Sequence, residues 1–131
     1  MIKLGEYQTL TIKRQQPQGF YLGDGQGNEV LLPRSFISTK MSIGDEITVY
    51  VYLDSSDLEI ATTEKPFLTL GEFAYLQVTD VNKIGAFIDI GIAKDLLVPF
   101  RNQDVNMRKG HSYVIHMYHD ELSDRLVGTS K

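Results

Sequence analysis

Two matching stretches of the sequence decide its fold. Residues 19–33 read GFYLGDGQGNEVLLP and residues 85–99 read GAFIDIGIAKDLLVP. In each, a glycine opens a short apolar segment, polar residues and glycines follow, and a second apolar segment ends in proline. Short apolar segments bounded by turn residues predict β-strands rather than helices. The two stretches lie 66 residues apart, which indicates an internal duplication.

The duplication extends beyond these stretches. Residues 4–7 align with residues 70–73, Met41 with Met107, and Thr63 with Thr129. We predict that the 66-residue offset holds without a gap through every strand. Each copy has about 60 residues, close to the lower limit for a stable core. The predicted domains are residues 1–65 and 66–131, with Pro66 favouring an extended backbone at the junction.

Apolar and polar residues alternate with period two within each copy, as at Ile47, Val49 and Val51. Turn residues divide each copy into five predicted strands, at 7–14, 19–24, 29–33, 46–53 and 58–63 and at the same positions plus 66. About a dozen residues separate the third strand from the fourth, enough for one short helical turn. This pattern predicts an all-β protein of two tandem five-stranded OB-fold Greek-key barrels. An SH3-like barrel, which places its long connection elsewhere, is the structural alternative.

Composition narrows the classes of function. The chain has 131 residues and a net charge of −4, which excludes a strongly basic nucleic-acid binder but not weak, stacking-driven binding of a single strand. It has no cysteine, which excludes disulfides, thiolate zinc sites and a cysteine nucleophile. No apolar run approaches the roughly 20 residues of a membrane helix, and the start lacks the core of a signal peptide. We therefore expect a cytoplasmic protein without membrane contact.

Other patterns that carry chemistry have simpler interpretations. The glycine-rich segment 23–27 precedes a strand, whereas a phosphate loop precedes a helix, so a hairpin turn is favoured. His111, His116 and His119 lie on one strand and cannot converge on a metal. The sequence contains no triad spacing and no distinguished carboxylate pair. We expect no metal, no cofactor, no small-molecule substrate and no catalysis.

The second copy resembles the S1 (S-one) RNA-binding domain. Residues 78–91 resemble its first hairpin, residues 95–99 its third strand, and residues 109–130 its last two strands. The first copy matches more weakly. The pair is similar to the conserved virulence factor B family of bacterial regulators, on residues 61–63, 85–89 and 94–99. The resemblance implies an OB fold, RNA binding and control of gene expression after transcription. It also leads us to expect additional C-terminal domains of the same chain.

The family's RNA face implies a set of site residues. It carries two aromatics on strand two, a histidine on strand three, and an aspartate and arginine around the last hairpin. In the second copy these positions are Ile84, Phe87, Pro99, Asp120 and Arg125, so that one aromatic and both charged residues are kept. The first copy keeps an aromatic, Tyr21, and an aspartate, and has glutamate at the arginine position. The resemblance therefore implies that the second copy is the more competent for RNA.

The alternation supports part of this site independently. Ala86 and Ile88 should face the core, so Phe87 should point outward, and Tyr21 should do so in the first copy. An exposed aromatic on an OB strand provides a stacking surface for bases. By strand position, three cations should lie near this face and contact phosphates: Lys83, Lys94 and Arg101. The alternatives are that Phe87 caps the barrel end or packs on the other domain, and that Tyr21 contacts the other domain.

Two functions follow as hypotheses. The first is a module that binds single-stranded RNA with low sequence specificity. The second is a protein-interaction or structural module, motivated by the net charge and by the lost family positions. Residues 1–65 contain 6 basic and 9 acidic side chains, and residues 66–131 contain 7 and 8. The second copy is thus the less acidic, which favours it as the binding half. An exposed apolar patch without nearby cations would favour a protein partner.

Overall fold

The structure, a computed structural model, describes residues 1–131, and the chain divides into two compact units, Met1–Lys65 and Pro66–Lys131. The strands of the first unit are β1 (Tyr7–Gln16), β2 (Gly19–Gly23), β3 (Glu29–Pro33), β4 (Glu46–Leu53) and β5 (Glu59–Thr62). Those of the second unit are β6 (Phe73–Asn82), β7 (Gly85–Ile88), β8 (Leu96–Pro99), β9 (Ser112–Asp120) and β10 (Arg125–Thr129). Short 3-10 turns follow β3 at Arg34–Phe36 and β8 at Phe100–Asn102. Neither unit contains a helix with the length and apolar character to cross a membrane.

The first unit is a closed barrel with the strand order β1-β2-β3-β5-β4. Its closing pair is parallel and places Leu31 of β3 beside Ile60 of β5. The long connection falls between the third and fourth strands, where the predicted short turn is present. This order and this connection are those of the OB fold, not of an SH3-like barrel.

The second unit repeats the fold in a barrel that is nearly closed. Its strands are ordered β10-β9-β6-β7-β8, and β8 lies beside β10 without a ladder between them. Asn102 joins the two edges instead. Its side-chain amide donates to the Gly128 carbonyl oxygen at 3.1 Å, and its own carbonyl accepts from the Ser130 N–H at 2.9 Å. The predicted all-β class with two five-stranded barrels is confirmed.

The cores follow the alternation seen in the sequence. Leu10, Leu22 and Val51 are at most 4% exposed in the first unit, as are Val78 and Ile88 in the second. The first strand of each unit has a bulge, at Lys13 and at Thr79, where its register shifts. Its first half pairs with the fourth strand, and its second half, which contains the bulge, pairs with the second strand. A bulge bends a strand, so one strand serves both sides of a small barrel.

The prediction of a gapless 66-residue offset is wrong at the last strand. Ala61 pairs with Val51 in the first unit, whereas Gly128, not Val127, pairs with Met117 in the second. The turn before the last strand is therefore one residue longer in the second unit, and the offset becomes 67. The left-handed aspartates of the two turns, Asp57 and Asp124, differ by the same 67. As a result, a small residue, Ala61 or Gly128, faces the core at the same place in each barrel.

Candidate nucleic-acid interface

Phe87 lies at the centre of the short strand β7. Its neighbours Ala86 and Ile88 are fully buried in the barrel, while Phe87 is half-buried on the outer side. Across the ladders it is opposite Leu97 on β8 and Asp80 on β6. The ring therefore offers part of its surface to solvent, supported by a backbone that pairs on both edges.

Two short segments meet at one end of β7. The pair Gly85 and Pro99 places the Lys83–Ile84 turn and the Phe100–Asn102 turn at the same end of the barrel. Ile84 is 51% exposed and Phe100 is 48% exposed, and both cations of these segments, Lys83 and Arg101, reach solvent. Each segment thus presents one apolar side chain and one positive charge.

The turn between β9 and β10 lies beside them. The Arg101 guanidinium is 3.7 Å from an Asp120 carboxylate oxygen, and Asp120 pairs with Arg125 across the ladder. The loops after the first and fourth strands flank the ligand face of an OB barrel. The end-loop cluster, as it is named below, comprises five residues: Lys83, Ile84, Phe100, Arg101 and Arg125.

Asp120 itself is turned inward and is only 9% exposed. Its carboxylate accepts hydrogen bonds from the Ser123 hydroxyl at 2.6 Å and the Ser123 N–H at 3.1 Å. The Ser123 hydroxyl is the main cause that lowers the pKa of Asp120, and the Ser123 N–H and Arg101 lower it further. Asp120 thus caps its turn and lies beside Arg101, and the direct RNA contact that the resemblance implies for it stays a prediction.

The depressed pKa predicts a pH-dependent stability. Because the folded pKa lies below the ordinary 3.8, the stabilisation by Asp120 is present above about pH 4 and is lost as the pH falls through the folded pKa. We expect Asp120→Asn to be less stable than wild type at pH 6 and to approach it near pH 2. Urea unfolding across this range measures the difference, with Glu121→Gln in the same turn as control. A difference that stays constant with pH would contradict the role given to Asp120.

Lys94 is separated from the other predicted cations. It precedes β8 on the side where Leu96 pairs with Ile88, the opposite end of the strand from Pro99. It is half-buried, whereas Lys83 and Arg101 are exposed. Lys94 therefore lies at the other end of β8 from Arg101, and its predicted phosphate contact stays a prediction.

The corresponding surface of the first unit is occupied by its own side chains. The Arg14 guanidinium lies 4.0 Å from the centre of the Tyr21 ring and forms an ion pair with Glu29 at 3.1 Å. A base would have to displace this cation to stack on that face of Tyr21. In the second unit the residue opposite the aromatic is Asp80, which cannot make a cation–π contact. The two aromatics are therefore not equivalent.

The 67-residue offset also changes one residue assignment. The first-unit counterpart of Arg125 is Leu58, not Glu59, and Leu58 is 65% exposed. At the position of Arg125 the first unit therefore has an apolar residue, neither a cation nor an acid. Phe100 was missed by sequence reasoning altogether. The available signal was its position directly after Pro99, where the family carries a histidine.

The family model described as "S1 domain" matches residues 4–64. The N-terminal unit carries an S1 domain. The match falls on the copy in which fewer family motifs were recognised from the sequence.

Distant homologues are longer than this chain. The chain is 32% identical to the Bacillus subtilis protein YitL over 81% of its own length and 37% of that protein. It is 25% identical to "Conserved virulence factor B" of Staphylococcus aureus over 76% of its own length and 34% of that protein. The chain thus spans about a third of these relatives.

A solved structure shares the fold. It is a "multidomain protein with nucleic acid binding domains" from Streptococcus pneumoniae, with a TM-score of 0.81 and 22% identity. The alignment covers 98% of this chain and 46% of that one. The likeness extends over both units and shows that their fold is shared.

Proposed function

We propose that this chain binds single-stranded RNA with low sequence specificity through the second unit. The observation that carries the proposal is the end-loop cluster beside Phe87. It combines apolar side chains with three cations at the loops that flank an OB ligand face. Stacking is sequence-tolerant because every base has a flat face, and phosphate contacts carry no sequence information.

The relatives support the same proposal at a coarser level. The N-terminal unit carries an S1 domain, and the structural neighbour is described as having nucleic-acid-binding domains. The homology to conserved virulence factor B supports a place in a larger bacterial regulator that acts after transcription. The module binds rather than catalyses, in the bacterial cytoplasm.

Weak affinity with a shallow salt dependence is the expected result. Three cations and a net charge of −4 allow few phosphate contacts, and each contact contributes a slope of about 0.7 for a single strand. For a four-nucleotide oligouridine we expect log K against log salt to fall with a slope no steeper than about −2. NMR titrations at salt concentrations from about 50 to about 200 mM measure this slope.

A pair of variants locates the phosphate contacts. Arg125→Ala should reduce the slope by about 0.7, whereas Lys94→Ala, at the other end of β8, should leave it unchanged. A steep slope in the wild type would mean that a different basic surface binds the strand. No binding at all would favour the protein-interaction hypothesis.

A further inference from the structure

A second exposed surface lies on the outer side of β6 and β9, away from the end-loop cluster. Phe73 is 67% exposed, Tyr75 is 71% exposed, and Val114 is 57% exposed. The ladder places Phe73 opposite His116 and Tyr75 opposite Val114, and the Phe73 and His116 rings stack at 4.5 Å. These four side chains, the aromatic strip, form two adjacent rows of apolar surface.

A surface depression of about 480 Å³ adjoins the strip. The rings of Phe67 and Tyr75 line it together with the polar side chains of Gln77, Asp89 and Ser112. Two contacts hold Phe67 at one side of the depression. Its N–H donates to the Ile90 carbonyl oxygen at 2.7 Å, and its ring lies against Gly91. Flat apolar walls with a few hydrogen-bonding groups suit a planar nucleobase.

A basic turn borders the same surface. Arg108, Lys109 and His111 precede β9, and all three are exposed. The Gln77 side chain, next along the outer face after Tyr75, donates to the Gly110 carbonyl oxygen at 3.1 Å. Arg108 and Lys109 therefore lie at the end of the strip where the depression has its polar groups, which places positive charge where a phosphate backbone would run.

The first unit provides an internal control for these features. At the positions of Tyr75 and Val114 it has Thr9 and Thr48, whose hydroxyls are 2.9 Å apart. At the positions of the basic turn it has Ser42, Ile43, Gly44 and Asp45. Tyr7 and Tyr50 stand at the positions of Phe73 and His116, so the first unit keeps two rings there but lacks the Tyr75 ring and the cations. The Tyr75 ring and the cations thus appear together in the second unit, and an apolar protein partner would not require the cations.

We propose that the aromatic strip and the basic turn form a second contact surface for single-stranded RNA. Bases stack on Tyr75 and Phe73 or enter the depression, and phosphates contact residues 108–111. The inference rests on the proposed function. Asp80, which lies opposite Phe87, is five residues along β6 from Tyr75, a distance of about 17 Å. A strand of several nucleotides therefore reaches both surfaces.

The internal control supplies the variant. Tyr75→Thr with Val114→Thr restores the pair that the first unit carries, so the barrel should stay folded. We expect the double variant to bind a twelve-nucleotide oligouridine roughly 5- to 150-fold more weakly than wild type. The double variant should bind a four-nucleotide oligouridine at Phe87 with the same affinity as wild type, as measured from the NMR signal of the Phe87 amide. Circular dichroism melting verifies folding.

A direct reporter complements the affinities. The chain has no tryptophan, so Tyr75→Trp places a single indole on the strip. The twelve-nucleotide strand should quench its emission by stacking. Two results together would overturn the second surface: RNA does not quench the emission of Tyr75→Trp, and the double variant binds the twelve-nucleotide strand as tightly as wild type. If the Phe87 amide signal still responds to RNA in that case, the proposed function stays intact. If the wild-type protein binds no oligouridine at all, both the second surface and the proposed function are overturned. Self-association that the double variant abolishes, without an effect on RNA, would assign the strip to a protein contact instead.

Discussion

Gly85→Ala should destabilise the second unit by about 3 kcal/mol or more. A Cβ at this position would stand 2.4 Å from the Val98 carbonyl oxygen and 2.9 Å from the Pro99 Cα. Both atoms belong to the backbone of the neighbouring strand, so no side-chain rotation relieves the clash. The φ of Gly85 is +151°, a conformation that side-chain-bearing residues rarely adopt. The first unit repeats the arrangement at Gly19, whose φ is also +151°.

Gly110→Ala is the matched control. Its φ is +85°, also left-handed, but no atom lies within 4 Å of a Cβ there, so only the conformational cost of about 1 kcal/mol remains. Urea unfolding followed by NMR signals of each unit separately is the measurement, because the two units need not unfold together. Equal stability of the two variants would show that the strands separate easily and that close approach at Gly85 is unimportant. The result also bears on function, since Gly85 fixes the Lys83–Ile84 turn against the Phe100–Asn102 turn.

Phe87→Ala should weaken binding of oligouridine by about 1–3 kcal/mol, roughly 5- to 150-fold. The substitution removes the ring on the outer side of β7 while Ala86 and Ile88 keep the core intact. Phe87→Tyr should retain most of the affinity, because tyrosine keeps an aromatic ring on which a base can stack. Fluorescence anisotropy titration measures the affinities, with thermal unfolding by circular dichroism to test folding.

Tyr21→Ala should have a smaller effect than Phe87→Ala. Arg14 already covers one face of the Tyr21 ring, and Leu58 stands where the second unit has Arg125. If Phe87→Ala unfolds the protein, its ring belongs to the core and the site is misplaced. If Phe87→Ala and Arg125→Ala both fold and bind like wild type, neither Phe87 nor the end-loop cluster binds RNA; if Tyr21→Ala does so as well, the first unit does not contribute.

Local patterns in the sequence determined the strands and the fold class. Alternation identified the core residues, as at Ala86 and Ile88, because a strand sends successive side chains to opposite faces. Glycines, prolines and polar residues marked the turns, because these residues have particular backbone preferences. The duplication showed that one barrel is built twice. Each of these signals is contained within a few neighbouring residues or in a comparison of the chain with itself.

Only the tertiary structure decided which loops share an end of the barrel. It also decided which side chains there already contact another residue of the same unit. Lys94 and Lys83 flank the same strand, and their separation depends on how β7 pairs with β8. Arg14 covers Tyr21, and Asp120 binds Ser123, because ladder register and turn length bring them together. The 67-residue offset of the last strand has the same origin, since the ladder register places Gly128, not Val127, opposite Met117. Contacts between distant residues depend on strand order and register, which period-two alternation leaves open.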